Sequence, residues 1–386
     1  MKICILTQNL GNNYGGILQA FALQFYLKKN GHTVETVQYK GNQRICFRIV
    51  LSIIKQTVKK YILRKKTGLV APLWMYKEKE NSVYQHLYNF IQHNIVQTPY
   101  IKNFKKLNYR NYEVYIVGSD QVWRPQYNKY YLDEMFLSFV KGDKTKRIAY
   151  AASFGVSEME FSEEQIRKVS ALLQKFDAIS VREESGIDLC RSYFHVEAQH
   201  LLDPTMLLQK SDYLTLISQE EERQKERKQN IEESKERREL FVYVLDSSSE
   251  VSCMIRQIAD EIQCQPYHFL PNSKDESVVM PSVSAWLKGI AEAQFVITDS
   301  FHGTVFAILF NKPFLTYVNT ERGATRFTSL LKMFHLEERL VSTSEEDIID
   351  KLKSPIDWEK VNQIMESERA SSSSFLKNVL NHIENE

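Results

Sequence analysis

Long apolar runs are missing from this chain. No segment approaches the ~18 uninterrupted apolar residues of a membrane-spanning helix. The opening, MKICILTQNL, carries one lysine and one short apolar run, so no secretory leader is expected. Cysteine is scarce: Cys4, Cys46, Cys190, Cys253 and Cys264 are scattered, odd in number and never spaced C-x-x-C. That excludes a disulfide framework and a zinc site, and it suits a reducing cytoplasm. An excess of base is also absent. Lys plus Arg total 50 against 48 Asp plus Glu, which argues against a dedicated nucleic-acid binder. Three motifs are lacking as well: the G-x-G-x-x-G of dinucleotide sites, a phosphate loop ending Gly-Lys-Ser/Thr, and the G-x-S-x-G elbow of hydrolases. His86, His93, His195 and His200 show no metal-ligand spacing, so no metal site is expected of them.

What is present is an α/β pattern. With 386 residues and 43% hydrophobic content, the chain can bury two cores. KICIL (2–6) reads as a strand, GNNYGG (11–16) as a glycine-rich loop, 17–31 as a helix stopped by Gly31, and TVETVQY (33–39) as a second strand. This is one βαβ unit of a parallel layer. Strands follow at 112–120, 146–155, 177–186 and 199–208, the last closed by Asp203-Pro204. Ser162 and Gln165 have capping-box spacing at the head of an amphipathic helix, 161–176. Residues 209–239 read as a charged helical linker, with opposite charges four apart at Glu221–Lys225 and Glu233–Arg237. A second α/β layer begins at LFVYVLD (240–246), runs to about 360 and is followed by a C-terminal helix, 361–386. The expected architecture is two Rossmann-like domains, 1–208 and 240–360, whose strand tips face a cleft.

Several strand tips end in residues that can do chemistry. In TDSFHGT, Ser300, His302 and Thr304 precede a helix, and Gly303 permits close approach. Helix-end amides there would favour an anion, and a histidine can move protons near neutral pH. The plainer alternative is a histidine bonded within its own loop. GNNYGG, with Asn13, Tyr14, Gly15 and Gly16, is either a ligand loop or a simple βα turn. Ser119 and Asp120 end one strand and Ser153 another; a helix cap is the plain role for Asp120. Arg182 follows a strand and suits a carboxylate or phosphate, the alternative being an ion pair with Glu183, Glu184 or Asp188. Arg322 and Arg326, four apart, could meet an anion or simply face solvent.

A different signal lies at 44–66. Arg44, Arg48, Lys55 and Lys59 share one helical side, and Ile45, Ile49, Ile53 and Val58 lie on the other. No acidic residue occurs between Glu35 and Glu78. A basic amphipathic helix of this kind reads as a membrane-surface element, against the alternative of a domain helix with a core-facing side.

Taken in order, NNYGGILQAFALQFYLKKNGHTVETVQY, VGSDQVW, AASFG, SVREESG, LLDPTMLL, FVITDSFHGTVFAILFNKPF and RGATRFTSLL resemble the polysaccharide pyruvyl transferase family, over about residues 3–340. The resemblance implies a GT-B-like fold. It also implies transfer of a pyruvyl group from phosphoenolpyruvate to a sugar, forming a cyclic ketal in surface or capsular polysaccharide synthesis, a scheme that requires neither a metal nor an organic cofactor. His302 then matches the family's proposed catalytic histidine and Arg182 a donor-contacting arginine. Ser300 stands where some members carry a further arginine, leaving Arg322 and Arg326 to supply the missing charge beside Gly303 and Thr304. Asn13, Tyr14, Gly15, Gly16, Ser119, Asp120 and Ser153 fall on the acceptor side. The expected partners are phosphoenolpyruvate, a lipid-linked sugar and an anionic membrane surface, with the protein cytoplasmic and peripheral. The competing functions are a glycosyltransferase using a nucleotide sugar and a non-catalytic membrane-associated assembly protein.

Overall fold

The computed structural model describes residues 1–39, 81–142, 144–226, 240–271, 278–318, 324–342 and 348–381. The basic segment 44–66, Arg322 and the stretch 227–239 lie outside the described residues.

The first sheet comprises β1 (Lys2–Leu6), β2 (Thr33–Thr36), β3 (Val114–Gly118), β4 (Lys146–Ala152), β5 (Ala178–Val181) and β6 (Gln199–His200). All neighbours are parallel, in the order β2-β1-β3-β4-β5-β6. Parallel sheets are covered on both faces, which is why KICIL is apolar without alternation. Ile3 and Ile5 enter one core while Cys4 and Leu6 enter the core on the opposite face. The second sheet holds β7 (Leu240–Tyr243), β8 (Pro266–His268), β9 (Phe295–Thr298), β10 (Phe314–Tyr317) and β11 (Leu340–Val341), ordered β11-β10-β9-β7-β8 and also parallel. Both sheets thus place their first strand between the second and third. The chain reverses direction across the sheet at β1/β3 and at β7/β9. Ligands of open α/β sheets bind outside the strand ends at such points.

Helix α1 (Tyr14–Lys29) joins the halves. It is capped by Asn13, whose side chain accepts from the Gly16 amide at 3.2 Å. Tyr14, Ile17 and Leu18 share one core with Trp286, Val305 and Phe306 of the second half. Tyr14 stacks on Trp286 and its hydroxyl donates to the Pro281 carbonyl at 2.6 Å.

One stretch departs from the expected elements and another adds packing to an expected one. Strand β6 stops at His200, and Asp203 instead caps a 3-10 turn, Pro204–Leu207. Pro204 has no N–H to give to a sheet ladder, so the strand cannot continue through it. In the expected linker, residues 210–226 are a helix, α5 (Lys210–Glu226 in full, after α2 Gln85–Asn94, α3 Glu163–Leu173 and α4 Glu184–Leu189), whose first turns are packed rather than merely charged. Tyr213, Leu216 and Ile217 are buried in the joint core, and Glu221 pairs with Lys288 at 2.8 Å.

The second half adds α6 (Ser249–Glu261), α7 (Val283–Glu292), α8 (Phe301–Leu309), α9 (Thr325–Met333), α10 (Ile348–Lys353) and α11 (Trp358–Asn381). The last crosses back to the first domain. Phe375, Leu376 and Leu380 pack with Ile3, Ile5 and Val114. Arg369 Nε donates to the Met206 carbonyl at 2.9 Å, and Ser372 Oγ accepts from the Leu202 amide at 3.2 Å. Among the described residues no helix is long and apolar enough to cross a membrane.

Candidate active site

The strand ends converge on one buried carboxylate, Asp203, which leaves β6 and begins the 3-10 turn. Its Oδ1 accepts from the Thr205 amide at 3.0 Å and the Thr205 hydroxyl at 2.7 Å, the ordinary work of a capping aspartate. Its Oδ2 reaches three other elements. Ser119, after β3, donates to it at 2.7 Å. Arg182 Nη1, after β5, donates at 2.9 Å. His302 Nε2, in the first turn of α8, stands at 3.6 Å, an ion-pair separation too long for a hydrogen bond. Burial alone would raise the Asp203 pKa. The His302 ring, the Arg182 guanidinium and the Ser119 hydroxyl outweigh it and hold the carboxyl well below the usual range.

The backbone around this point is bent to deliver these groups. Asp120 adopts a left-handed conformation, φ 63°, which an aspartate tolerates better than most residues. The turn leaves its Oδ1 3.7 Å from Arg182 Nη2. In β4 the pairing with β5 slips between Ala149 and Ala152, and Ala151 takes φ 47°. Ser180 Oγ fills the gap in the ladder, accepting from the Ala151 amide at 2.9 Å and donating to the Ala149 carbonyl at 3.0 Å. Beyond that bulge, the Ser153 amide donates to the Asp120 carbonyl, and the amides of Phe154 and Gly155 donate to Glu183 Oε1 at 2.7 and 3.0 Å. Bulges re-aim chains in this way near functional sites.

The His302 ring is wedged between the domains. A Cβ built on Gly15 would lie 2.0 Å from its Nδ1 and 2.8 Å from its Cβ, so only glycine fits at the start of α1. Phe301, the preceding residue, forms a platform for two arginines: the guanidinium carbon of Arg182 lies 4.4 Å from the ring centroid and that of Arg326 5.7 Å. Arg326 belongs to α9, which is tied to the first domain through the Glu184 amide to Ser329 Oγ at 3.0 Å and Lys332 to Glu184 at 2.7 Å. Burial, with the charge of Arg182, pushes the Arg326 pKa down to about 10, so it remains charged at neutral pH.

Four buried nitrogens here have no hydrogen-bond acceptor: Nε and Nη2 of Arg182, Nε of Arg326 and Nε2 of His302. Buried polar groups are nearly always satisfied, and each such exception calls for a reason. Two guanidiniums and an imidazole with unspent nitrogens suit an oxyanion ligand. Among the described residues no group of three or more His, Cys, Asp or Glu is placed to hold a metal ion.

The sequence candidates therefore separate. His302, Arg182, Arg326, Ser119, Asp120 and Gly15 meet at one place. Arg182 pairs with Asp203 and Asp120 rather than with its sequence neighbours Glu183, Glu184 or Asp188. Ser153 is buried beside Asp120, with its hydroxyl unpartnered. Ser300, Gly303 and Thr304 build their own loop. The Ser300 side chain caps α8 through the Gly303 amide, a Cβ on Gly303 would strike Thr298 Oγ1 at 2.3 Å, and the Thr304 hydroxyl is spent on the Ser300 carbonyl and Thr316. Asn13 caps α1 by accepting from the Gly16 amide, and Tyr14 begins and anchors it. Asp203, expected only to close a strand, and Phe301 join the site without a sequence signal for it, as does Asp299, whose carboxylate accepts from the amides of Leu245 and Asp246 and so joins the tips of β7 and β9.

No curated protein sequence matches the chain. Among solved structures it is similar to UDP-GlcNAc 2-epimerase from Neisseria meningitidis bound to UDP-GlcNAc, with 10% identity and a TM-score of 0.50 over 99% of this chain and 100% of that one. It is likewise similar to a Listeria monocytogenes protein described as UDP-N-acetylglucosamine 2-epimerase, with 11% identity and a TM-score of 0.51 over 100% and 97%. At such identities the likeness is one of fold, the GT-B-like pairing of two parallel-sheet domains. A family model described as polysaccharide pyruvyl transferase matches residues 13–321.

Proposed function

Since the chain belongs to the polysaccharide pyruvyl transferase family, we propose that its cleft moves the pyruvyl group of phosphoenolpyruvate onto two hydroxyls of a saccharide. The observation that carries this reading is the set of unspent buried nitrogens on Arg182, Arg326 and His302 around the Phe301 ring. Phosphoenolpyruvate presents a carboxylate and a phosphate, the two groups a planar guanidinium binds best. In the reaction C3 gains a proton and C2 becomes oxocarbenium-like. Two acceptor oxygens bond to C2, and its bond to the phosphate oxygen breaks. Of the two hydroxyl protons released, one replaces the proton given to C3 and the other leaves on phosphate. His302 is the group we assign to the proton transfers, and the arginines stabilise the charge on the departing phosphate. The carboxylates of Asp120, Glu183 and Asp203 offset the charges of Arg182, Arg326 and His302 and leave no net positive charge among these six residues, so we assign Arg322, in the same RGATRF motif as Arg326, as a further cation for the donor.

The test is incubation with phosphoenolpyruvate and a panel of nitrophenyl and lipid-linked sugars, following phosphate release and product mass. We expect a product heavier by one pyruvyl ketal, and a loss of at least ~100-fold in His302→Ala. Phosphate release unchanged in a folded His302→Ala protein would return this residue to a packing role. The acid-free basic segment 44–66 favours a lipid-linked acceptor at an anionic surface. Co-sedimentation with anionic liposomes should then fall at high salt and on changing Lys59, Lys60, Arg64, Lys65 and Lys66 to Gln. A protein left in the supernatant at low salt would favour a soluble acceptor.

A further inference from the structure

We propose that Asp203 is the positioning residue of this site: one carboxylate oxygen, supplied by the first domain, sets the separation between the His302 ring and the Arg182 guanidinium. The inference rests on the pyruvyl-transfer reading for its chemistry, but its geometry is independent of it. Thr205 holds Oδ1 with two hydrogen bonds, so the carboxylate cannot turn without breaking both. Oδ2 is thereby fixed where Ser119, Arg182 and His302 meet it at 2.7, 2.9 and 3.6 Å. The Asp203 side chain is 1% exposed and that of His302 7%, so solvent screens the pair little.

The working nitrogen is the one that faces the carboxylate. Gly15, with no Cβ, lets the Nδ1 edge of the ring close against the start of α1. Nε2 faces Asp203 at ion-pair distance and is buried with no hydrogen bond, so a proton placed there is near a counter-charge yet uncommitted. In the proposed cycle the imidazolium gives its Nε2 proton to C3 of the donor. The neutral ring then takes an acceptor hydroxyl proton at the same nitrogen. Asp203, surrounded by donors, stays ionised and exchanges no proton. Its role is to hold the ring's edge and the guanidinium in one frame, so that a donor bound to Arg182 presents C3 to Nε2.

A double-mutant cycle tests this. Asp203→Asn keeps the shape and the bonds to Thr205. We expect it to lower phosphoenolpyruvate-dependent turnover by ~100-fold, the effect of misplacing a reacting group by about 1 Å. In the His302→Ala background it should cost less than about 2-fold, because residues acting as a unit are not additive. The same loss in both backgrounds overturns the proposal. If Asp203→Asn does not fold, Ser119→Ala removes one tether of Oδ2 and should show the same non-additivity, with equal losses again overturning it. A wild type that never releases phosphate overturns the functional reading instead. The positioning claim is then judged by urea unfolding without substrate: Asp203→Asn should cost less stability in His302→Ala protein than in wild type, and equal costs overturn it.

Discussion

Gly15→Ala is the substitution on which the site's geometry can be tested most sharply. Two effects oppose each other. Alanine in a helix is favoured over glycine by ~0.5–1 kcal/mol, so propensity alone makes the variant more stable. Against this, the new methyl would sit 2.0 Å from Nδ1 and 2.4 Å from Cγ of His302. That is about 1.5 Å inside the ~3.5 Å optimum for such atoms. A ring flip cannot relieve it, because the His302 Cβ, fixed to α8, is itself only 2.8 Å away. Helices α1 and α8 must therefore part, while Tyr14 anchors α1 against Trp286. Overpacking of this kind costs ~1–3 kcal/mol, which outweighs propensity and leaves a net loss of up to about 2.5 kcal/mol. The ring is displaced by an amount on the order of 1 Å, so turnover should fall ~100-fold. Gly16→Ala is the control, since its methyl meets nothing nearer than Asn13 at 3.4 Å and Asp120 at 3.5 Å. It should be neutral or stabilising by up to ~1 kcal/mol. Urea midpoints and phosphate release for the two variants decide the matter. A Gly15→Ala protein as stable and active as Gly16→Ala would refute the wedged ring.

Two further outcomes follow from the packing. Leu376→Ala, at a buried position of α11, should destabilise the protein by ~2–5 kcal/mol in urea unfolding, far more than a surface helix would. Burial pushes the His86, His200 and His268 imidazoles below their ordinary 6.5. The unfolded chain takes up these protons at a higher pH than the folded one, so stability should fall as pH drops below about 6.5. His200, whose Nε2 bonds the Arg182 carbonyl at 3.0 Å, should account for part of that slope, and His200→Gln should flatten it in urea midpoints taken between pH 7.5 and 5.5.

The two-layer fold is legible in the sequence because apolar runs that end in small polar residues mark parallel strands and their tips. His302 and Arg182 are legible for the same reason: each stands just past such a run. Asp203 is not. An aspartate before proline reads as the close of a strand, whereas it caps a 3-10 turn through Thr205. The second oxygen acquires its role only from residues brought by β3, β5 and α8, which local pattern does not report. Gly15 and Gly16 are interchangeable in the sequence, and only the approach of His302 separates them. The charges between 219 and 239 likewise draw attention from Tyr213, Leu216 and Ile217, whose apolar side is what fastens α5 into the joint core. The return of α11 to the first sheet depends on contacts between the two ends of the described chain, which no window of sequence contains.

That return has a consequence for biosynthesis. The first sheet has all its strands once His200 has left the ribosome, yet one of its faces is closed by Phe375, Leu376 and Leu380. Roughly 180 residues must still be translated before that cover exists, an interval of about 10–40 s at ~5–20 residues per second. During that time the nascent first domain presents part of the face built from Ile3, Ile5, Val114 and Ile116 without its final partner. Maturation is therefore tied to the synthesis of α11 rather than to completion of the first domain's own strands. A ribosome stalled after the second sheet should hold a first domain that proteases and chaperones still recognise as unfinished.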